Sequence, residues 1–311
     1  MKIYSPQKKI LIIKFGGLGD VILSLDAIFS IFNHYKSKIV LLTEEPFDKL
    51  LFKSKWFDEI ITIKRSLFYF LDILQIKKKL NPDDFDFVFD LQTSDRTSFY
   101  LKLFSKNETI TNGIGKFAKI NHSNKNRNNM HTLERQKNQM ESSHIICDSK
   151  VDLQWLFRSN INIPKAKYAM IVPGGSRKRM NKRIPITIFL RLSDYLLNCG
   201  LEILLIGSKD DEKICNYISE KLPKVKNLCN KTNFFDIGKL AKKSLLSIGN
   251  DTGPMHLISK AGNNTLVLFT KFSKPELCQP IGKKVSIFIY ENDDDNFYKR
   301  VTLKLSNILS F

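Results

Sequence analysis

Apolar residues along this chain come in short dense runs separated by polar, glycine-bearing stretches. Ile10-Leu11-Ile12-Ile13-Lys14-Phe15 predicts a buried strand, and the loop Gly16-Gly17-Leu18-Gly19-Asp20 follows it. Val21, Leu25, Ile28, Phe29 and Phe32 then recur at helical spacing. Ile39-Val40-Leu41-Leu42-Thr43, Ile60-Ile61-Thr62-Ile63 and Phe85-Asp86-Phe87-Val88-Phe89-Asp90-Leu91 predict three more strands. The pattern restarts at Tyr168-Ala169-Met170-Ile171-Val172. It continues with Leu201-Glu202-Ile203-Leu204-Leu205-Ile206, Leu245-Leu246-Ser247-Ile248 and Thr265-Leu266-Val267-Leu268-Phe269. Helices are expected from Pro185 to near Gly200, from the turn at Gly207 to Leu222, and from Val301 to Phe311. Strands alternating with helices predict right-handed βαβ units and parallel sheets. The chain therefore reads as two successive α/β sheets joined near Ile161 to Lys167.

Two stretches depart from this rhythm. Between about Ser105 and Ser149 the chain is polar, and Lys106 to Lys137 carries seven basic residues against Glu108 and Glu134. It reads as a loop-rich basic insertion at the edge of the first domain. Ser66-Leu67-Phe68-Tyr69-Phe70-Leu71, followed by Lys77-Lys78-Lys79, reads as an amphipathic helix. Its aromatic side is expected in the core, the alternative being a face that docks on a membrane.

Composition narrows the class. At 311 residues the chain is long enough for two domains, and 42% hydrophobic with 26% charged residues excludes a mainly disordered protein. No apolar run approaches bilayer-spanning length, and Met1-Lys2-Ile3-Tyr4-Ser5-Pro6 lacks the apolar core of a secretory leader, so a cytoplasmic location is expected. Fifty Lys and Arg against 31 Asp and Glu leave a net charge of +19. That excess favours an anionic partner, whether nucleic acid, phosphorylated substrate or acidic membrane surface, although a Lys-, Asn- and Ile-rich composition of the AT-rich kind accounts for part of it. The five cysteines include no C-x-x-C pair and the five histidines no H-x-x-x-H pair. Neither a metal site nor a disulfide framework is expected, and no cofactor.

Ligands of open parallel sheets bind at the carboxyl ends of strands, and four loops stand there. In Gly16-Gly17-Leu18-Gly19-Asp20 the dinucleotide fingerprint fails, because Ile22 stands where it needs glycine. Asp20 is either an N-cap or a carboxylate facing a cleft, able to accept a hydroxyl proton. Arg177-Lys178-Arg179-Met180-Asn181-Lys182-Arg183, after Pro173-Gly174-Gly175-Ser176, is either a solvated charged loop or a cationic seat for a diphosphate. Gly207-Ser208-Lys209-Asp210-Asp211-Glu212 either caps a helix or bonds ribose hydroxyls. In Gly249-Asn250-Asp251-Thr252-Gly253-Pro254-Met255-His256, Pro254 suits a helix start whose free N–H groups form an anion site, while Asp251 and Thr252 suit polyol hydroxyls. His256 taken alone reads as a structural histidine.

With these loops in this order the chain resembles the heptosyltransferases, glycosyltransferase family nine of lipopolysaccharide synthesis. The resemblance rests on Ile10-Leu11-Ile12-Ile13-Lys14-Phe15-Gly16-Gly17-Leu18-Gly19-Asp20-Val21, Asp90-Leu91-Gln92, Pro173-Gly174-Gly175-Ser176, Lys182-Arg183-Ile184-Pro185, and Gly249-Asn250-Asp251-Thr252-Gly253-Pro254-Met255-His256-Leu257. Ile184 departs from the tryptophan usual there. The resemblance implies an α/β GT-B fold, two Rossmann-like domains facing across a cleft. The acceptor-side domain is expected over 1–163, the nucleotide-sugar domain over 164–295 and a closing helix over 296–311.

The resemblance also implies an inverting, metal-independent transfer of heptose from an ADP-sugar donor to a lipopolysaccharide core acceptor. Asp20 would be the general base. Gly17, Gly19, Ser176, Lys182, Asp211, Asp251, Thr252, Gly253, Pro254, Met255 and His256 would bind the donor, and His131 and Arg135 the acceptor. The acceptor would be an anionic lipid-linked saccharide, with peripheral contact at the inner face of the inner membrane. Two alternatives stay open. One is a related transferase using another nucleotide sugar. The other is a non-catalytic binder of RNA or another polyanion, which the lack of aromatic residues in the 177–183 loop disfavours.

Overall fold

The structure, a computed structural model, describes residues 9–105, 108–147, 151–175 and 177–310, with the backbone alone at 177 and 178. The chain forms two compact units, Met1–Asp152 and Leu153–Phe311.

The first unit is built on strands β1 (Lys9–Ile13), β2 (Lys38–Thr43), β3 (Glu59–Thr62), β4 (Phe87–Asp90), β5 (Ile110–Gly113) and β6 (Ile120–Asn121). They pair in parallel in the order β3-β2-β1-β4-β5-β6. Ile10 to Ile13 are wholly buried, as a central parallel strand covered on both faces requires. The second unit repeats the plan with β7 (Tyr168–Val172), β8 (Glu202–Leu205), β9 (Lys226–Asn227), β10 (Leu246–Asn250), β11 (Asn264–Thr270) and β12 (Val285–Tyr290), in the order β12-β11-β10-β7-β8-β9. Strand order reverses between β1 and β4 in one sheet and between β7 and β10 in the other. At such a reversal the loops at the strands' carboxyl ends diverge and leave a crevice.

The packing follows helical periodicity. In helix Ile186–Asn198, Ile188, Phe189, Leu192 and Leu196 are buried against Ala169, Ile171, Ile203 and Leu205 of the sheet. The last helix, Asp294–Leu309, adds Phe297, Val301 and Leu305 to the same core. It starts earlier than its apolar spacing predicts, because Asp293 caps Asn296 N–H at 3.0 Å and Asp294 and Asp295 suit the positive helix start.

Three expectations are corrected. The stretch from 108 to 147 is rich in loops and lies at the sheet edge as expected, but it is no insertion: it supplies β5, β6 and helix Thr132–Glu141, whose buried face includes Leu133, Gln136, Gln139 and Met140. The join falls between Asp152 and Leu153 instead of near residue 163. Residues 153–161 belong to the second unit because Leu156 packs on helix Phe234–Lys243 and Lys239 Nζ donates to the carbonyls of Ser159 and Ile161 at 2.8 and 2.9 Å. The aromatic run before Lys77 is not in the core: Leu67 is 89%, Phe68 60% and Phe70 58% exposed. Among the described residues no helix is long and apolar enough to cross a membrane.

Candidate active site

In the second unit the expected donor-side residues gather at the reversal between β7 and β10. Lys182 Nζ lies 3.1 Å from Asp251 Oδ2, and Ser273 Oγ donates to the same oxygen at 3.1 Å. Asp251 is in turn fixed by its N–H on the Leu268 carbonyl. Asn250, wholly buried, donates to the carbonyls of Pro173 and Gly174 at 2.8 and 3.0 Å and accepts from Ile184 N–H at 3.1 Å. One amide thus ties the loop after β7, the basic segment and the loop after β10 into one structure. Helix Gly253–Lys260 begins there with Thr252 at its N-cap, and no side chain caps it. Pro254 has no N–H and Met255 N–H donates to the Thr252 carbonyl at 3.0 Å, so this helix start offers an anion the Gly253 N–H and the positive end of the helix dipole. Among the described residues Thr252 Oγ1 has no hydrogen-bond partner. Met255 and His256 are buried, so their side chains pack inward while their turn of helix presents backbone.

Asp211 shows the capping alternative: with Ser208 it forms a capping box at the helical turn Lys209–Asp211. Its carboxylate accepts from Gly175 N–H at 3.1 Å and from Ser208 N–H and Oγ at 2.9 and 2.8 Å, with the Arg183 guanidinium 3.7 Å away. Arg183 also hydrogen-bonds the Gly175 carbonyl. Asp211 therefore braces the 173–175 loop. Gly174 allows the brace: a Cβ there would stand 2.1 Å from the Asp211 carboxyl. Ser176 lies outside the described residues.

In the first unit the N-cap after β1 is Gly17, and helix Leu18–Leu23 carries Asp20 in its first turn. Asp20 is thus no N-cap, and its side chain is exposed. Gly17 opens on free space, and Gly19 lies in the helix beside Asp20. The preceding loop is braced from below: Glu44 Oε1 accepts Gly16 N–H at 3.0 Å, and Arg65 holds Glu44 with two hydrogen bonds of 2.7 and 2.5 Å.

Beneath Asp20 lies charge that sequence reasoning left unassigned. Lys14 is 3% exposed and donates to the Leu91 carbonyl at 3.4 Å. Burial lowers its pKa to about 8, against the opposing pull of Asp20 and Asp90. Asp90, wholly buried, accepts from the N–H groups of Gln92 and Thr93 at 3.0 Å each, and burial raises its carboxyl to about 6. Gln92 Oε1 in turn accepts Phe15 N–H at 3.2 Å. Position Lys14 was visible only as a lone cation in an apolar strand.

Of the expected acceptor residues, His131 is the N-cap of helix Thr132–Glu141, its Nδ1 accepting Leu133 N–H at 3.2 Å. Arg135 is drawn down in pKa by burial, and the Asp20 charge opposes that shift, so the two lie within electrostatic reach. The helix is seated by amides: Gln136 donates to Ser24 Oγ at 2.8 Å, and Gln139 to the Asp90 carbonyl and Asn112 Oδ1 at 2.9 and 2.8 Å.

Two doubly wound parallel sheets in series are the GT-B architecture of glycosyltransferases. The comparisons agree on the fold. The chain superposes on E. coli ADP-heptose LPS heptosyltransferase II with a TM-score of 0.75 at 16% identity, over 97% of this chain and 98% of that one. On E. coli heptosyltransferase WaaC with ADP the TM-score is 0.77 at 16% identity, over 96% and 99%. In sequence it is 26% identical over 268 residues to lipooligosaccharide heptosyltransferase 2 of Campylobacter jejuni subsp. jejuni serotype O:2, spanning 83% of this chain and 80% of that protein. Residues 73–305 match glycosyltransferase family 9 (heptosyltransferase). The chain belongs to that family and is a glycosyltransferase.

Proposed function

We propose that this protein transfers heptose from an ADP-activated donor to an anionic, lipid-linked lipopolysaccharide core acceptor, inverting the anomeric centre without a metal ion. The reading is supported by the relatives above, named for heptose transfer and in one case holding ADP. The observation that carries it is the Lys182–Asp251 pair beside the uncapped start of helix Gly253–Lys260. An ammonium has three donors and Asp251 takes one, which leaves Lys182 able to bind diphosphate oxygens while Asp251 holds it in place. The Gly253 N–H and the positive helix end complete an anion seat, beside a Thr252 hydroxyl that has no partner among the described residues.

In the proposed step Asp20 takes the proton of the acceptor hydroxyl. The new oxygen–carbon bond forms on one face of the anomeric carbon while the bond to the diphosphate breaks on the other. ADP leaves with the bonding electrons, and Lys182 and the positive start of helix Gly253–Lys260 stabilise the charge that develops on it. Arg135, which feels the Asp20 charge, and His131, which caps the same helix, would meet the acceptor. The protein would work in the cytoplasm, against the inner face of the inner membrane.

Thermal unfolding with ADP, UDP, GDP and RNA tests the reading, since a ligand that binds only the folded state raises its stability. ADP alone should stabilise the chain, and Lys182→Ala should weaken that binding about tenfold. Equal stabilisation by UDP would favour another sugar nucleotide, and stabilisation by RNA alone would reject the proposal.

A further inference from the structure

We infer that residues 66–74 of the first unit form a rigid apolar wedge that seats the protein on an anionic lipid leaflet. Leu67, Phe68, Phe70 and Leu74 are all more than half exposed, with Tyr69 and Leu71 partly so. They occupy the turn before helix Tyr69–Lys79 and its first turns, with the Phe68 and Phe70 rings stacked 5.8 Å apart. An apolar group of this size in water calls for a partner.

The wedge is held open from beneath. Asp72, on the same helix, is wholly buried. It accepts from Ser66 N–H at 2.8 Å and Arg96 NH1 at 2.6 Å, and it bonds the Tyr100 hydroxyl. Arg96 NH1 also donates to the Ser66 carbonyl at 2.7 Å, and its guanidinium lies 4.5 Å from the centre of the Tyr69 ring. On the other side, Gln75 exchanges two hydrogen bonds with the backbone of Lys64. Tucking the apolar tips inward would break a buried ion pair, a costly change. The side chains are fixed outward before any partner arrives, so little ordering entropy opposes docking.

Charge selects the partner. Between Lys64 and Lys79 the only acidic residue is Asp72, which is buried. Exposed Lys64 and Arg65 precede the apolar tip, and exposed Lys77, Lys78 and Lys79 end its helix. Of the neighbouring carboxylates Glu44 is paired with Arg65, which leaves Glu45 and Asp83 outnumbered by the four lysines. A second copy docking through the same face would set cations against cations, as a twofold contact pairs each patch with itself. An anionic leaflet satisfies both features, taking Phe and Leu side chains at the acyl boundary and lysines at the headgroups. This deepens the proposed function, which places a lipid-linked acceptor at such a surface.

Sedimentation of the full chain with phosphatidylethanolamine–phosphatidylglycerol vesicles, against phosphatidylcholine vesicles, tests the inference without donor or acceptor. Binding should require the anionic lipid. Phe68→Ser with Phe70→Ser should weaken it about tenfold or more, from the loss of buried apolar area. Each of Lys77→Gln and Lys78→Gln should weaken it about fivefold. Unfolding temperature and stabilisation by ADP should stay as in the parent chain, which shows the variants fold. No preference for the anionic lipid, or undiminished binding by the double Phe variant, would overturn the inference, as would a Phe-dependent dimer that binds no vesicle. Loss of the ADP effect in the parent chain would instead count against the donor assignment and leave the wedge standing.

Discussion

Asp20 and Lys14 divide the labour of a charged site between surface and interior. Asp20 is exposed at a helix start, where it can meet a substrate hydroxyl, whereas Lys14 lies buried below and adds a cation to its surroundings. Asp20→Asn keeps the shape and removes the base. Transfer should fall about a hundredfold or more while ADP binding is retained; an active variant would reject the assignment. Asp90 makes a separate prediction. Its carboxyl is raised from 3.8 to about 6, so between these values the folded chain binds the proton more tightly than the unfolded one. Its contribution to stability is full below 3.8 and is lost as pH rises through about 6. Unfolding measured against Asp90→Asn should therefore shift in the variant's favour across that window. A difference independent of pH would show that the carboxyl is not perturbed.

Helix Thr132–Glu141 shows why an element can hide in a sequence. Two of its buried positions, Gln136 and Gln139, are amides, and between polar flanks they leave only Leu133 and Met140 as apolar signal. Their packing energy is instead hydrogen bonding to groups that exist only once the sheet has formed, the Asp90 carbonyl and Asn112. Gln139→Leu would strand both acceptors in a dry setting. It should destabilise the first unit by about 2 kcal/mol or more, read as a fall in unfolding free energy in urea. The wedge is the opposite case: a run as apolar as Leu67 to Leu71 signals burial, and a buried Asp72–Arg96 pair turns it outward.

Over the whole molecule, two sheets of one plan carry different chemistry at their reversals. In the proposed reading one presents the Asp20 carboxylate, the other the Lys182 ammonium and a helix start. Hydrogen exchange with and without ADP should read this division directly. Protection should appear in residues 173–183 and 250–256 of the second unit, with the first unit's 16–20 loop changed less. Protection confined to 16–20 would place the nucleotide on the wrong unit and sink the proposed donor site. The charge of +19 belongs to this scale too, since it raises encounter with every anionic ligand without choosing one.

The sequence by itself determined the repeated α/β plan, because central parallel strands must be continuous apolar runs and their turns need glycine. It also pointed to the loops holding Asp20 and residues 251–256, since these follow apolar runs closely and so fall at strands' carboxyl ends, whereas Lys182, ten residues beyond Val172, was picked out by the family resemblance. Only the tertiary structure decided that Asp211 braces a loop, that Lys14 and Asp90 lie beneath Asp20, and that an aromatic run faces solvent. Those outcomes depend on partners dozens of residues away in the chain. A polar side chain's fate is set by which donors and acceptors the fold brings to it, and apolar periodicity carries no record of them.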